Sequence, residues 1–151
     1  MAKLKKIIII NGPNLHLQGK RQPEIYGRQT FDDLLKSCRN QFPALDIELI
    51  QSQHEGDLID AVHSAGAAGV PVVLNAGAYA HTSYALADAL AAWDIPVVEV
   101  HISNIFAREP WRSQSLTARY CQGVISGFGL EGYIMAIGWL LGHYEISSDT
   151  I

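Results

Sequence analysis

Short apolar runs alternate with helix-patterned segments along the whole chain, and that alternation limits the possible folds more than any other feature. KKIIII (5–10) reads as a buried strand that stops at Asn11-Gly12-Pro13. TFDDLLKSCRNQF (30–42) reads as a helix: Thr30 can cap it, Asp32 and Asp33 suit its first turn, and Pro43 ends it. IELIQ (47–51) is a second strand, GDLIDAVHSAGA (56–67) a second helix and VPVVLN (70–75) a third strand. TSYALADALAAW (82–93) is a third helix and VVEV (97–100) a fourth strand. A long irregular stretch (101–117) precedes a fifth strand, GVIS (123–126), and a last helix over about 130–143.

Strands separated by helices require right-handed crossovers and hence a parallel sheet covered on both faces. Five such units in 151 residues fit an α/β, doubly wound, flavodoxin-like sheet with strand order 2-1-3-4-5, and residues 1–151 read as one catalytic-sized domain. Composition narrows the function. A formal charge of −4 lacks the basic stripe that nucleic acid requires. No run approaches the ~20 apolar residues of a membrane span. The opening MAKLKKIIIING has an apolar core too short for a signal peptide. Two cysteines, Cys38 and Cys121, form no disulfide framework and suit a reducing cytoplasm.

In a doubly wound sheet, ligands bind beyond the carboxyl ends of the strands, near the point where strand order reverses. The residues at those ends are Asn11, Gly12, Pro13 and Asn14 after the first strand, then GKRQPEIYG (19–27) with Arg21 and Tyr26. That glycine- and proline-bearing stretch is expected to form neither helix nor strand. After the third strand come Asn75, Ala76, Gly77, Tyr79 and His81; at the fourth, Glu99, His101, Ile102, Ser103 and Asn104, followed by Arg108 and Arg112. Glu99 and His101 stand two apart and so share one face of a strand, where a carboxylate can fix an imidazole's tautomer and favour its charged form. Two arginines beside histidines suit bidentate capture of a carboxylate. Taken singly, each feature has a plain alternative: a turn at Asn75-Gly77, a capping neighbour at His81, a structural Glu99–His101 pair, solvated arginines. Their convergence on one sheet edge favours a pocket.

Other motifs carry less. GFGLEG (127–132) matches a dinucleotide fingerprint, but no strand and no acid follow at the needed distance. Its glycines are expected instead to let the last helix lie close to the sheet. No metal-ligand spacing, no GxSxG and no phosphate-loop lysine motif is present. Lys20, the one lysine near the inferred pocket, sits in a loop unsuited to Schiff-base chemistry.

NGPNLHLQGKRQPEIYG, NAGAYAHTSYALADAL and EVHISNIFAREPWR closely resemble the type II 3-dehydroquinate dehydratases, in the right order and over nearly the whole chain. Gln18, His16 and Gln22 depart from that pattern without removing a group the family uses. The resemblance implies a reversible trans-dehydration of 3-dehydroquinate to 3-dehydroshikimate in the shikimate or quinate routes, with neither cofactor nor metal. It makes Tyr26 the base at C2, Arg21 the promoter of its ionisation and Asn14 a stabiliser of the enolate. It makes His101, oriented by Glu99, the proton donor to the C1 hydroxyl. Asn75, His81, Arg112, Ile102 and Ser103 would hold the substrate, and Arg108 occupies a pattern position of less defined role. Asp88 would reach a neighbouring subunit's site in a dodecamer built of trimers. Two rivals are a non-catalytic nucleotide- or flavin-binding module, whose phosphate-cradling residues Asn-Gly-Pro-Asn does not supply, and a subunit that serves assembly alone.

Overall fold

A computed structural model describes residues 2–146, and of 2, 3, 25, 26, 145 and 146 it describes only the backbone. Five parallel strands form one sheet: β1 (Lys6–Asn11), β2 (Asp46–Gln51), β3 (Val72–Asn75), β4 (Val97–His101) and β5 (Gly123–Ser126), in the spatial order 2-1-3-4-5. Register levels their carboxyl ends: Asn11 pairs with both Gln51 and Asn75, and His101 with Ser126.

The four consecutive isoleucines explain why β1 is central. Ile7 and Ile9 pack on one side with α1 (Phe31–Gln41) and α4 (Glu131–His143). Ile8 and Ile10 pack on the other with α2 (Glu55–Ala68) and α3 (Tyr84–Ala91). A strand buried on both faces must be apolar at every position, and at about 1.5–3 kcal/mol per buried isoleucine these four side chains anchor the sheet. Thr30 caps α1 as expected, with Asp33 completing a reciprocal box: Asp33 N–H donates to Thr30 Oγ1 and Thr30 N–H to Asp33 Oδ2.

Four expectations are corrected. The stretch 19–27 does contain a helical turn, Pro23–Tyr26, since Pro23 presets the first position and Gly27 N–H closes on Pro23 C=O at 2.8 Å. The helix expected over 82–93 is shorter: Thr82 ends a separate turn, Tyr79–Thr82, and α3 starts at Tyr84 and ends at Ala91, its cap Ser83 accepting the Leu86 N–H at 2.9 Å. The third strand starts at Val72 rather than 70, because Gly69, at φ 66°, turns the chain so that Val70 N–H still caps α2 at Ala65 C=O. Finally, the sheet is not covered on both faces throughout. The β4–β5 crossover is built of short 3₁₀ turns (Ile105–Ala107, Pro110–Ser113, Ala118–Tyr120) rather than a helix, which leaves Val124 of β5 43% exposed beside Phe106, Phe128 and Met135. A two-stranded ribbon, Ala2–Lys3 against Glu145–Ile146, was too short to read from sequence.

Candidate active site

The loops after β1 and β3 interlock. Gly12 N–H donates to Asn75 C=O at 2.7 Å, and a Cβ on Gly12 would stand 2.2 Å from the Ala76 carbonyl oxygen, so only glycine fits. Asn14 then takes a left-handed conformation, φ 69° and ψ −7°, which asparagine tolerates better than most residues. Its N–H donates to Gln53 Oε1 at 2.7 Å, and its C=O opens the turn Leu15–Leu17. Arg21 N–H bonds Leu17 C=O at 3.0 Å, which ties the next segment back to the loop.

Asn75 ends β3 with its amide oriented from both sides. Gly77 N–H donates to Oδ1 at 3.2 Å, and Nδ2 donates to the Tyr133 hydroxyl at 2.9 Å. That hydroxyl donates in turn to Asn11 Oδ1 at 2.8 Å, so a tyrosine of α4 bridges the ends of β1 and β3. Burial pushes the Tyr133 phenol far above its ordinary value, which keeps it neutral and able to donate.

At the end of β4, His101 Nε2 meets Glu99 Oε2 at 3.0 Å, as the two-residue spacing anticipated. Ser115 Oγ donates to the same oxygen at 2.8 Å and Thr117 Oγ1 to Oε1. Burial alone would raise the Glu99 carboxyl; the bonds from His101 and Thr117, the attraction of the imidazole and the Ser115 bond outweigh it and hold the group below the ordinary carboxylate range. An ionised Glu99 accepts the proton on Nε2 and leaves Nδ1 as the second ring nitrogen of His101. His81, on the turn Tyr79–Thr82, donates from Nδ1 to Gln114 C=O at 2.7 Å, which fixes its tautomer with Nε2 unprotonated in the neutral ring. The two imidazoles stack with centroids 5.9 Å apart.

Asn14, Arg21, Asn75, His81, His101, Ile102, Ser103, Arg108 and Arg112 line a single cleft, together with Pro13 and Leu17. Its volume, about 170 Å³, is below the roughly 300–1,000 Å³ of pockets for drug-sized ligands and suits a small metabolite. Three guanidiniums face it. Arg108 Nη1 donates to Ser103 Oγ at 3.1 Å, and Arg112 Nε pairs with Glu109 at 2.6 Å while stacking on Trp111. With one exposed acid against three cations, the cleft attracts an anion.

Glu99 lies behind His101 and outside this lining, and Asp88 is exposed on α3 and also outside it. The Tyr26 side chain lies outside the described residues; its backbone closes the helical turn that follows Arg21. Gly132 has the packing role expected of the GFGLEG glycines, since a Cβ there would sit 3.2 Å from Val100 and 3.3 Å from Ile125. Gly127 and Gly129 instead adopt positive φ in the preceding turn. Among the described residues no group of three histidine, cysteine or acidic side chains could hold a metal ion. No helix among them is long and apolar enough to cross a membrane. Cys38, on the buried face of α1, is free, as is Cys121.

Sequence reading passed over Gln53, Tyr133, Ser115 and Thr117. Gln53 follows β2, whose end stands level with that of β1, so the strand-end rule applied one strand further would have found it. Ser115 and Thr117 sit in an irregular segment with no periodicity to aim them.

Residues 5–141 match the family model described as dehydroquinase class II. The chain belongs to that family. It is 51% identical over 133 residues to a protein of Rhizobium johnstonii named 3-dehydroquinate dehydratase, covering 87% of this chain and 92% of the relative. A protein of the same name from Pelodictyon phaeoclathratiforme is 46% identical over 151 residues, covering 99% of this chain and the whole of the relative. The crystal structure of the type II dehydroquinase from Propionibacterium acnes superposes with a TM-score of 0.87 at 40% identity, over 94% of this chain and 99% of that one. Within the family, the interlocked loops after β1 and β3 and the Glu99–His101 pair are what this chain brings to one edge of its sheet.

Proposed function

We propose that the cleft at the carboxyl ends of β1, β3 and β4 is where 3-dehydroquinate binds and loses water, with the whole chain acting as one catalytic domain. The activity is that of the family: type II 3-dehydroquinate dehydratase, a hydro-lyase of the shikimate pathway. The observation that carries the site assignment is convergence. Asn14, Arg21, Asn75, His81, His101 and Arg112 come from three strand ends and line one cationic cleft sized for a small acid.

In this reading the Tyr26 phenolate removes a proton from C2, next to the ketone. Making a phenolate at pH 7 from a phenol of pKa about 10 costs about 4 kcal/mol. The Arg21 guanidinium offsets that cost by favouring the charged form, more strongly once water is excluded. Electrons from the C2–H bond form the enolate, whose oxygen is stabilised by Asn14 through an ordered water. The enolate then expels the C1 hydroxyl, which leaves as water on taking a proton from His101, held in place by Glu99. Arg112, with the backbone amides of Ile102 and Ser103, holds the substrate carboxylate, and Asn75 and His81 hold its hydroxyls. Loss of water changes no overall oxidation state, so proton transfers by side chains suffice.

Assembly follows the same reading. A homo-oligomer, a dodecamer built of trimers, is supported by the apolar face that Phe106, Val124, Phe128 and Met135 leave exposed at the β5 edge. Exposed Asp88 is then available to a neighbouring subunit's site. The two unpaired thiols suit a cytoplasmic protein. The deciding experiment is Tyr26→Phe assayed by ultraviolet absorbance of the conjugated enone product. Turnover disappears with the fold retained by circular dichroism; unimpaired turnover rejects the assigned base.

A further inference from the structure

Gln53 lies just past β2, and its side chain spans two groups of the loop after β1. Its Oε1 accepts the Asn14 N–H at 2.7 Å, while Nε2 donates to His16 Nδ1 at 3.0 Å. Gln51 Nε2 also reaches Gln53 Oε1, at 3.3 Å, so two donors decide which end of the amide is oxygen. The backbone of Gln53 is itself held, its C=O accepting the Tyr79 hydroxyl at 3.2 Å. Asn14 and Gln22 are the two non-glycine residues at positive φ among the described residues, and Asn14 lines the cleft.

We infer that Gln53 is a positioning residue that holds Asn14 in its left-handed conformation toward the cleft, and that protonation of His16 weakens that hold. The inference rests on reading the cleft as the active site. A primary amide has one accepting end and one donating end. Neutral His16 presents a lone pair at Nδ1, which matches the donating end. Protonated His16 carries N–H on both nitrogens, so Nδ1 then faces an NH₂ group. Turning the amide over satisfies the imidazolium but aims that NH₂ at the Asn14 N–H. Either arrangement loses one bond, and the second loses the one that anchors Asn14. The charged groups sharing the shallow hollow around His16 are Lys20 and Asp32, of opposite sign, beside the neutral Gln18, Thr30 and Gln51.

Gln53→Leu removes both bonds at nearly constant volume. The expected result is a fall in kcat of about tenfold, equivalent to about 1.4 kcal/mol of transition-state stabilisation, with KM within threefold. Hydrogen exchange over 11–18, read by mass spectrometry, accelerates at the same time. Gln53→Glu rescues, since a carboxylate accepts from the Asn14 N–H and from an imidazolium alike. Its kcat stays within threefold of wild type at pH 7.5, and its ratio to wild type rises once the medium is acid enough to protonate His16. A merely structural glutamine would leave that ratio flat. Normal kcat in Gln53→Leu, or faster exchange without loss of kcat, or a pH-independent ratio, overturns the inference. Tyr26→Phe run alongside separates the two readings. Full activity there rejects the site assignment, whereas loss there with normal turnover in Gln53→Leu rejects the role of Gln53 alone.

Discussion

Replacing Glu99 by glutamine isolates the charge behind His101. The carboxylate accepts from His101 and Ser115 at Oε2 and from Thr117 at Oε1. A glutamine whose oxygen takes the Oε2 position still accepts the first two, and the Thr117 hydroxyl can rotate to accept from the new NH₂. Shape and tautomer survive, so what disappears is one negative charge 3.0 Å from the imidazole. Coulomb's law at that separation, with an effective dielectric of about 20, gives roughly 5.5 kcal/mol as the gross attraction. Net values for hydrogen bonds to charged groups are nearer 1.5–3 kcal/mol, because the separated partners regain solvation. The loss of stabilisation for a positively charged His101 therefore corresponds to a fall in kcat of about 10- to 150-fold. KM changes little, since Glu99 does not line the cleft. The assay is enone formation at saturating 3-dehydroquinate, with a melt to confirm folding. A kcat within twofold of wild type, or a loss confined to KM, refutes the assigned role.

Stability should follow the same carboxylate. Its pKa is held below the unfolded value of about 4.3, so its contribution is complete above that pH and is lost as pH falls through the folded value. The stability difference between wild type and Glu99→Gln, measured by urea titration, therefore shifts toward the variant below about pH 4.3. Tyr133→Phe strands Asn75 Nδ2 and Asn11 Oδ1 in a buried site, and should cost about 1–3 kcal/mol in denaturant melts while raising KM. Gly12→Ala, whose Cβ would overlap the Ala76 carbonyl, should lower both melting temperature and activity. In contrast, Gly138→Ala on the exposed face of α4 meets no atom within 4 Å and should add about 0.5–1 kcal/mol. Ionic strength should raise KM if the three arginines capture the substrate carboxylate, and an unchanged KM between 20 mM and 500 mM salt would count against them.

Strand order and the cleft's main residues were legible because both arise from strong local patterns. Four consecutive isoleucines admit only a strand buried on both faces, and the doubly wound rule then directs attention to the residues at each strand's carboxyl end. Glu99 and His101 were readable as partners since a strand turns alternate residues to one face. Legibility failed where the deciding contacts are non-local. Nothing near Ser115 or Thr117 says that their hydroxyls meet Glu99, 16 and 18 residues earlier. Tyr133 looks like one more apolar residue of α4 until its hydroxyl is found between Asn11 and Asn75. The start of α3 was misplaced by two residues because Thr82 and Ser83 are adjacent residues that can each cap a helix, and only the tertiary fold makes Ser83 the cap.

The fit of Gly12 beneath the Ala76 carbonyl joins segments 64 positions apart in the chain. Its consequence concerns timing. Neither rim has a defined shape until the first and third strands lie side by side, so the receptor comes into being with the sheet rather than after it. Ligand affinity should therefore return during refolding in step with the pairing of those two strands and not before it.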